Sequence, residues 1–270
     1  MEHKSRKIID MHAHVFPEKI ASRAVSNVGT YYGIEMDGNG TVQGLFNSAE
    51  TLDAFFVISG AALKVENVRH GNEFLFECVK SYPEKLIALG SVHQDMDIKS
   101  ICSEFEYVKE NGGRGIKLHP DFQHFKIEDE KMFPIYEAAQ SIGLPILMHM
   151  GDDKTVNSTP KALRFIADKF PELELIAAHM GGWMAWNEAD EYLVGSRVYM
   201  DTSDALFVLP AERVYDMINR HGADKVMFGS DFPFRRTYQS FLEIDALPLT
   251  EEQKESLYLN TAKKVFKIQL

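Results

Sequence analysis

Hydrophobic and polar positions along this chain follow two rhythms in alternation. Short apolar runs at residues 8–12, 54–58, 86–92, 115–118, 145–149, 173–179, 198–202 and 225–229 have the length and content of buried strands. Between them, apolar residues recur at helical spacing over 68–82, 98–110, 131–142, 160–170 and 212–220, and again over 251–266. The punctuation agrees: Pro160 stands at one helix start, and Gly112, Gly143 and Gly222 follow the ends of others. Repeating βα units of roughly thirty residues favour a parallel sheet, and eight of them favour closure into an α/β fold of the (β/α)8 TIM-barrel type. An open doubly wound sheet is the alternative, but it gives no reason for polar residues to recur at one end of every strand. Residues 15–50 interrupt the rhythm as an insert after the first strand, where a barrel places active-site loops. No linker or shift of composition divides residues 1–270, which read as a single domain.

Composition narrows the function. The length of 270 residues suits a barrel, and 45% hydrophobic with 26% charged content argues against disorder or a fibre. A formal net charge of −11 repels phosphate backbones and anionic lipid, which counts against a nucleic-acid or membrane-surface role. It leaves the charge inside a cleft open, so a small anionic substrate stays in play. Cys78 and Cys102 form no close motif, which suits a reducing compartment. With no signal-peptide pattern and no apolar run long enough to span a bilayer, a cytoplasmic protein is expected.

Candidate chemistry collects at the strand ends. His12 and His14 close the first strand, and alternation sends both side chains to one side, so two imidazoles meet one point without a bend. Such a pair suits a borderline cation such as zinc. His119 follows strand four, His149 ends strand five, His179 ends strand six and Asp231 follows strand eight. Any one of these is unremarkable alone. A barrel puts all its strand C-termini on one face, and chance placement of the whole set there is hard to sustain.

The combination of IDMHAHVFP, GIKLHP, a strand-five His, AHMGGW and FGSDFP resembles the amidohydrolase superfamily. It is most similar to the amidohydrolase-related, or type 2, branch that includes aminocarboxymuconate-semialdehyde decarboxylase and resorcylate decarboxylases. The resemblance runs from Ile8 to about Phe234 and continues in the C-terminal helix. It implies one divalent ion held by His12, His14, His149 and Asp231, with His179 beside it handling protons or polarising the substrate. Zinc is the expected ion; manganese, cobalt or iron would fit the same donors. Binuclear relatives carboxylate a strand-four lysine, here Lys117, and move His149 and His179 to a second ion. A homodimer is compatible with the branch.

Three readings stand. The leading one is hydrolysis of an amide, lactone or ester by a cation-activated water, with Asp231 taking the proton and His179 facing the oxyanion. The alternative is non-oxidative decarboxylation of an unsaturated or aromatic acid, and the third is a non-catalytic metal-binding barrel. Lys117, His119 and Arg235 are candidates for contact with the substrate, Arg235 as a bidentate clamp on a carboxylate. Arg236 reads as its exposed neighbour, and Trp183 and Trp186 as core or cleft wall. Asp10 shares the parity of His12 and is either an acceptor below the metal or a structural carboxylate. His93 stays unassigned, His70 and His221 read as helix or loop residues, and His3 as terminal.

Overall fold

A computed structural model describes residues 6–270; His3 lies outside them. Eight strands run parallel: β1 (Lys7–His14), β2 (Asp53–Ser59), β3 (Leu86–Leu89), β4 (Ile116–Leu118), β5 (Ile146–Met148), β6 (Leu175–Ala177), β7 (Tyr199–Asp201) and β8 (Val226–Met227). They pair as β1-β2-β3 and β4-β5-β6-β7-β8. Bridges Gly90–Ile116 and Ala13–Phe232 join the two sets into a closed (β/α)8 barrel. Backbone bonds across the seams, Lys117 N to Gly90 O at 2.7 Å and Met11 N to Phe228 O at 2.9 Å, complete the closure. Several strands are shorter than the apolar runs suggest. The backbone leaves the ladder at its C-terminal ends to aim side chains, as at His179 with φ of 58°.

The inner layer explains where the polar residues go. Ile9 and Met11 of β1 cluster with Phe55, Val57, Leu89, Leu147, Ile176, Tyr199 and Met227 inside the barrel, while Ile8 packs outward against the helices. Strict alternation would then send His12 and His14 outward too. Instead the register of β1 on β2 shifts between Asp10 and Ala13. Such a bulge adds one residue and reverses parity, so Ala13 packs outward and both histidines turn inward. Asp10 is thereby parted from His12. Its carboxylate accepts from Ser230 N at 3.0 Å, Ser230 Oγ at 2.6 Å and Thr237 Oγ1 at 2.8 Å. Burial raises its pKa to about 6 against the pull of those bonds. It is the structural carboxylate of the two roles open to it.

The helices form where the periodicity places them: α3 (Val68–Ser81), α4 (Ile98–Glu110), α6 (Phe133–Ile142), α7 (Pro160–Lys169) and α10 (Ala211–His221), with the short α5 (Pro120–Gln123), α8 (Trp186–Tyr192) and α9 (Ala205–Val208) between them and α11 (Thr237–Asp245) after β8. Local chemistry sets their limits. Asp97 caps α4 by accepting from Ser100 N, Thr159 caps α7 by accepting from Ala162 N, and Gly143 ends α6 in the left-handed region at φ of 72°. The insert contains two helices, α1 (Glu18–Tyr32) and α2 (Val42–Ser48). The C-terminal stretch is α12 (Glu251–Glu255), a π turn at Ser256–Asn260 and α13 (Thr261–Phe266). Ala262, Val265 and Phe266 of α13 join the apolar residues inside the barrel and plug its floor.

Candidate metal centre and active site

Above the apolar layer, several inward positions at the strand ends are polar. His12, His149 and Asp201 follow the inward residues Met11, Leu147 and Tyr199 on their strands, Lys117 lies on β4, and all four are buried. Asp231 enters from the loop after β8, where Asp231 N donates to His12 O at 2.8 Å. His12 and His14 bring their Nε2 atoms within 3.2 Å, and Asp231 Oδ1 lies 3.4 and 3.1 Å from them.

Hydrogen bonds on the far side of each ring fix what faces the centre. His14 Nδ1 is 2.9 Å from the Ser59 carbonyl and His149 Nε2 is 3.0 Å from the Gly151 carbonyl. A carbonyl can only accept, so both of those nitrogens carry the proton. His12 Nδ1 likewise donates to Asp201 Oδ2 at 3.0 Å. The opposite nitrogens, His12 Nε2, His14 Nε2 and His149 Nδ1, therefore present lone pairs. Asp231 Oδ1 is buried and receives no hydrogen bond. Lone pairs and a carboxylate oxygen crowd within 3.1–3.4 Å of one another, and apart from Lys117 Nζ, 3.1 Å from His12 Nε2, such acceptors favour a cation among them. The donor set fits a divalent ion. Each outer partner also fixes ring orientation as the carboxylate or carbonyl behind a metal-binding histidine does.

His149 is not in that group. Its Nδ1 faces His179 Nε2 at 3.0 Å, and the groups of mutually close donors put His12 and His14 with Asp231 but leave His149 with His119 and Asp121. His119 caps α5, and its ring is stacked between His149, at 3.8 Å and 10°, and Phe122, at 4.1 Å and 4°. Two stacked imidazoles cannot both aim in-plane lone pairs at one ion, so His119 serves as a wall. Lys117 Nζ reaches to 3.1 Å from His12 Nε2. Burial lowers its pKa to about 8. Burial also lowers His12, His119 and His149, and takes His179 down to about 3, so these imidazoles are held neutral.

His179 is held from four directions. Its N donates to Asp201 Oδ1 at 3.2 Å, its carbonyl accepts from Trp186 Nε1 at 2.8 Å, and its Nδ1 lies 2.9 Å from Ser203 Oγ and 3.1 Å from Asp204 Oδ2. His179, Asp204 and Asp231 all have positive φ, of 58°, 58° and 55°. Non-glycine residues in that region carry about 1–3 kcal/mol of strain each, which the surrounding contacts must offset. Arg235 is not brought to the imidazoles: it pairs with Glu243 at 2.5 Å and approaches Asp37 at 3.5 Å. Arg236 pairs with Glu50 nearer the surface, and the buried His93 accepts from Asp95 N.

Asp201, Ser203, Asp204 and Tyr32 are site residues that the sequence reading passed over. The first three lie in MDTSD at the end of β7, and a buried-strand run closing on a carboxylate was the available signal. Tyr32 comes from the insert. Its hydroxyl lies 3.3 Å from His149 Nε2 and 3.4 Å from His119 Nε2. Its ring joins Phe122, Trp183 and, beyond Trp183, Phe234 in an aromatic collar with centroids 5.8–6.3 Å apart. Gly151 makes the packing under Trp183 possible, since a Cβ there would sit 2.2 Å from Trp183 O. A cleft of about 630 Å³ between α1 and residues 33–39 is lined by none of these histidines.

A parallel barrel whose strand ends converge imidazoles, carboxylates and a lysine on one point belongs to the class of barrel enzymes that work at that face. The amidohydrolase family model matches residues 9–268, and the chain belongs to that family. Gamma-resorcylate decarboxylase of a Polaromonas species is 20% identical over 251 residues, covering 75% of this chain and 77% of that one. An uncharacterised TIM-barrel protein of Bordetella bronchiseptica superposes with a TM-score of 0.77 at 18% identity, covering 97% and 98% of the two chains. The 5-carboxyvanillate decarboxylase of Novosphingobium aromaticivorans, complexed with manganese and 4-hydroxy-3-methoxy-5-nitrobenzoic acid, gives 0.69 at 18% identity over 99% and 98%. Among the described residues, no helix is long and apolar enough to cross a membrane.

Proposed function

We propose that this protein is a metal-dependent decarboxylase of a small aromatic or conjugated carboxylic acid. The observation that carries this reading is the collar of Tyr32, Phe122 and Trp183 over the converging lone pairs. Aromatic walls favour a planar π-system, edge to face or stacked. The similarity to decarboxylases of aromatic acids points the same way, and it moves the preference from the hydrolase expected at first to its alternative.

His12, His14 and Asp231 would hold one divalent ion, zinc or manganese; His149, whose Nδ1 lies outside that cluster at 3.0 Å from His179 Nε2, would have to turn towards the ion to serve as a fourth donor. Such an ion supplies Lewis acidity to a substrate oxygen. His179 Nε2 orients the substrate at the centre. Asp231 Oδ1, free of any hydrogen-bond donor, handles the proton. In the reaction the bond from the ring carbon to its carboxylate breaks, carbon dioxide leaves, and the electron pair left on carbon takes a proton drawn from solvent and relayed by Asp231. Lys117 and His119 stand at the margin, Lys117 as a charge beside His12 and His119 as a wall.

The test is incubation of metal-loaded protein with carboxyl-labelled 2-hydroxybenzoic acids in deuterated water. Labelled carbon dioxide with one deuterium on the ring is expected. A second panel of lactones and amides in oxygen-18 water covers the hydrolase reading, which the unpartnered Asp231 Oδ1 would serve as base. Oxygen-18 in the product acid, with no carbon dioxide from the first panel, would overturn the decarboxylase.

A further inference from the structure

Residues 17–36 of the insert are fastened to the barrel in two different ways. At the base the chain is pinned through its backbone just outside the segment: Phe16 N donates to Gly40 O at 2.8 Å, Asp37 N to Phe234 O at 3.1 Å and Gly38 N to Pro233 O at 2.9 Å. Gly38 lies so close to Phe232 that a Cβ would stand 2.3 Å from its ring. Between those pins the grip is slight. Of the 15 residues of α1 only Ala21 and Gly29 are fully buried, and both are too small to contribute much apolar area. Among the described residues, 17–36 hydrogen-bond to the rest of the chain only at the tip, through Tyr31 and Tyr32.

The catch that holds the tip is itself braced. Asp152 Oδ1 accepts from Lys154 N at 2.6 Å and Thr155 N at 3.2 Å, and the same loop is anchored where Ser158 Oγ donates to Asp121 Oδ2 at 2.6 Å. The other oxygen of Asp152 accepts from the Tyr31 hydroxyl at 3.1 Å. Lys154 Nζ donates to the Tyr31 carbonyl and lies 4.2 Å from the centroid of its ring. The next residue, Tyr32, is what this catch keeps over the site, with its hydroxyl 3.3–3.4 Å from His149 and His119 and its ring 6.3 Å from Trp183. A segment pinned at its base, lightly packed along its length and caught at its tip has the build of a moving lid.

We propose that residues 17–36 are a hinged cover over the candidate active site, latched by Tyr31 on Asp152 and Lys154, and that ions and substrate pass beneath Tyr32 when the latch opens. The inference rests on the reading of the histidine cluster as the active site. Its first measurement needs neither metal nor substrate, so a failed decarboxylation assay leaves it standing.

Peptide-resolved hydrogen exchange on the full chain reads the opening, because exchange from a closed element follows its open fraction. Amides of residues 17–36 should exchange faster than those of β1 and β5 in wild type. Tyr31→Phe removes a hydrogen bond to a charged group at a half-buried position and should speed them about tenfold, with the barrel peptides unmoved. Lys154→Met should act in the same direction. Uncovering of the centre is read separately, by stopped-flow zinc uptake and by zinc release to a chelator. A cover that opens more often should raise both rates about tenfold in Tyr31→Phe and leave the dissociation constant unchanged. Exchange of 17–36 as slow as that of the barrel strands in wild type, or unmoved by both substitutions, would overturn the proposal. So would faster exchange with unaltered zinc rates, or a change in one zinc rate alone. Zinc bound by neither protein would sink the metal reading instead, and the exchange result then decides the cover by itself.

Discussion

Replacing Asp201 by Asn tests the logic of the metal centre most sharply, because it alters charge while keeping shape. Asp201 is fully buried and touches no face open to a ligand. One of its oxygens accepts from His12 Nδ1 at 3.0 Å; the other accepts from Ser203 N at 2.9 Å, His179 N at 3.2 Å and the Ser203 hydroxyl. Burial opposes its ionisation, yet His12 and Ser203 together hold its pKa down to about 2. An amide in its place gives His12 a neutral acceptor and leaves an NH2 among donors. Loss of such a partner behind a metal-binding histidine weakens metal affinity by about 10–100-fold, or about 1.4–2.7 kcal/mol. The upper half of that range is expected here, since the pair is completely desolvated. The same substitution should cost about 1–3 kcal/mol of folding stability through the other three bonds. Competition against a chromophoric chelator, at a temperature where the variant is folded, gives the dissociation constant. A folded variant that binds within about threefold of wild type would refute the claim that Asp201 fixes His12 as a ligand.

Metal content is expected near one equivalent in wild type and lost in His12→Ala and Asp231→Ala by elemental analysis; near two equivalents would assign the His149–His179 pair, with Lys117, to a second ion. His221, buried outside the site and accepting from Gly195 N, has its pKa lowered to about 4 by burial. Its contribution is complete above about pH 6.5 and is lost as pH falls through about 4, worth about 3 kcal/mol, so chemical denaturation should show His221→Gln losing less stability over that window. Gly151→Ala drives a Cβ to 2.2 Å from Trp183 O in a backbone with φ of 77°, and should lower stability by about 2–4 kcal/mol in thermal melts; an unchanged melting temperature would contradict the described packing.

The barrel was legible because eight apolar runs and their intervening helices carry different periods, and because polar residues recur at one end of each run. The inward aim of Lys117 and His149 follows from plain alternation. At β1 alternation misleads: it groups Asp10 with His12, and only the register shift between Asp10 and Ala13 separates them. A bulge of one residue leaves no mark on a hydrophobic pattern, since Met11 and His12 read the same on either parity. The insert was opaque for a different reason. Of the whole of α1 only Ala21 and Gly29 are fully buried, so no apolar stripe announces the helix that delivers Tyr32 to the site. Asp201 and Asp204 were overlooked because carboxylates after strands are common; what distinguishes them is burial against His12 and His179, a property of the assembled barrel.

The two tryptophans of this chain have a practical meaning. Trp183 lies 6.4 Å from the His179 ring and Trp186, 5.8 Å from Trp183, is bonded to the His179 carbonyl; there are no others in the 270 residues. The tryptophan fluorescence of the protein therefore originates beside His179. Manganese or cobalt arriving there should quench the emission, and a ring sliding under the collar should shift its wavelength. The molecule carries its own dye at the place of interest, and ligands can be screened by light before any reaction is known.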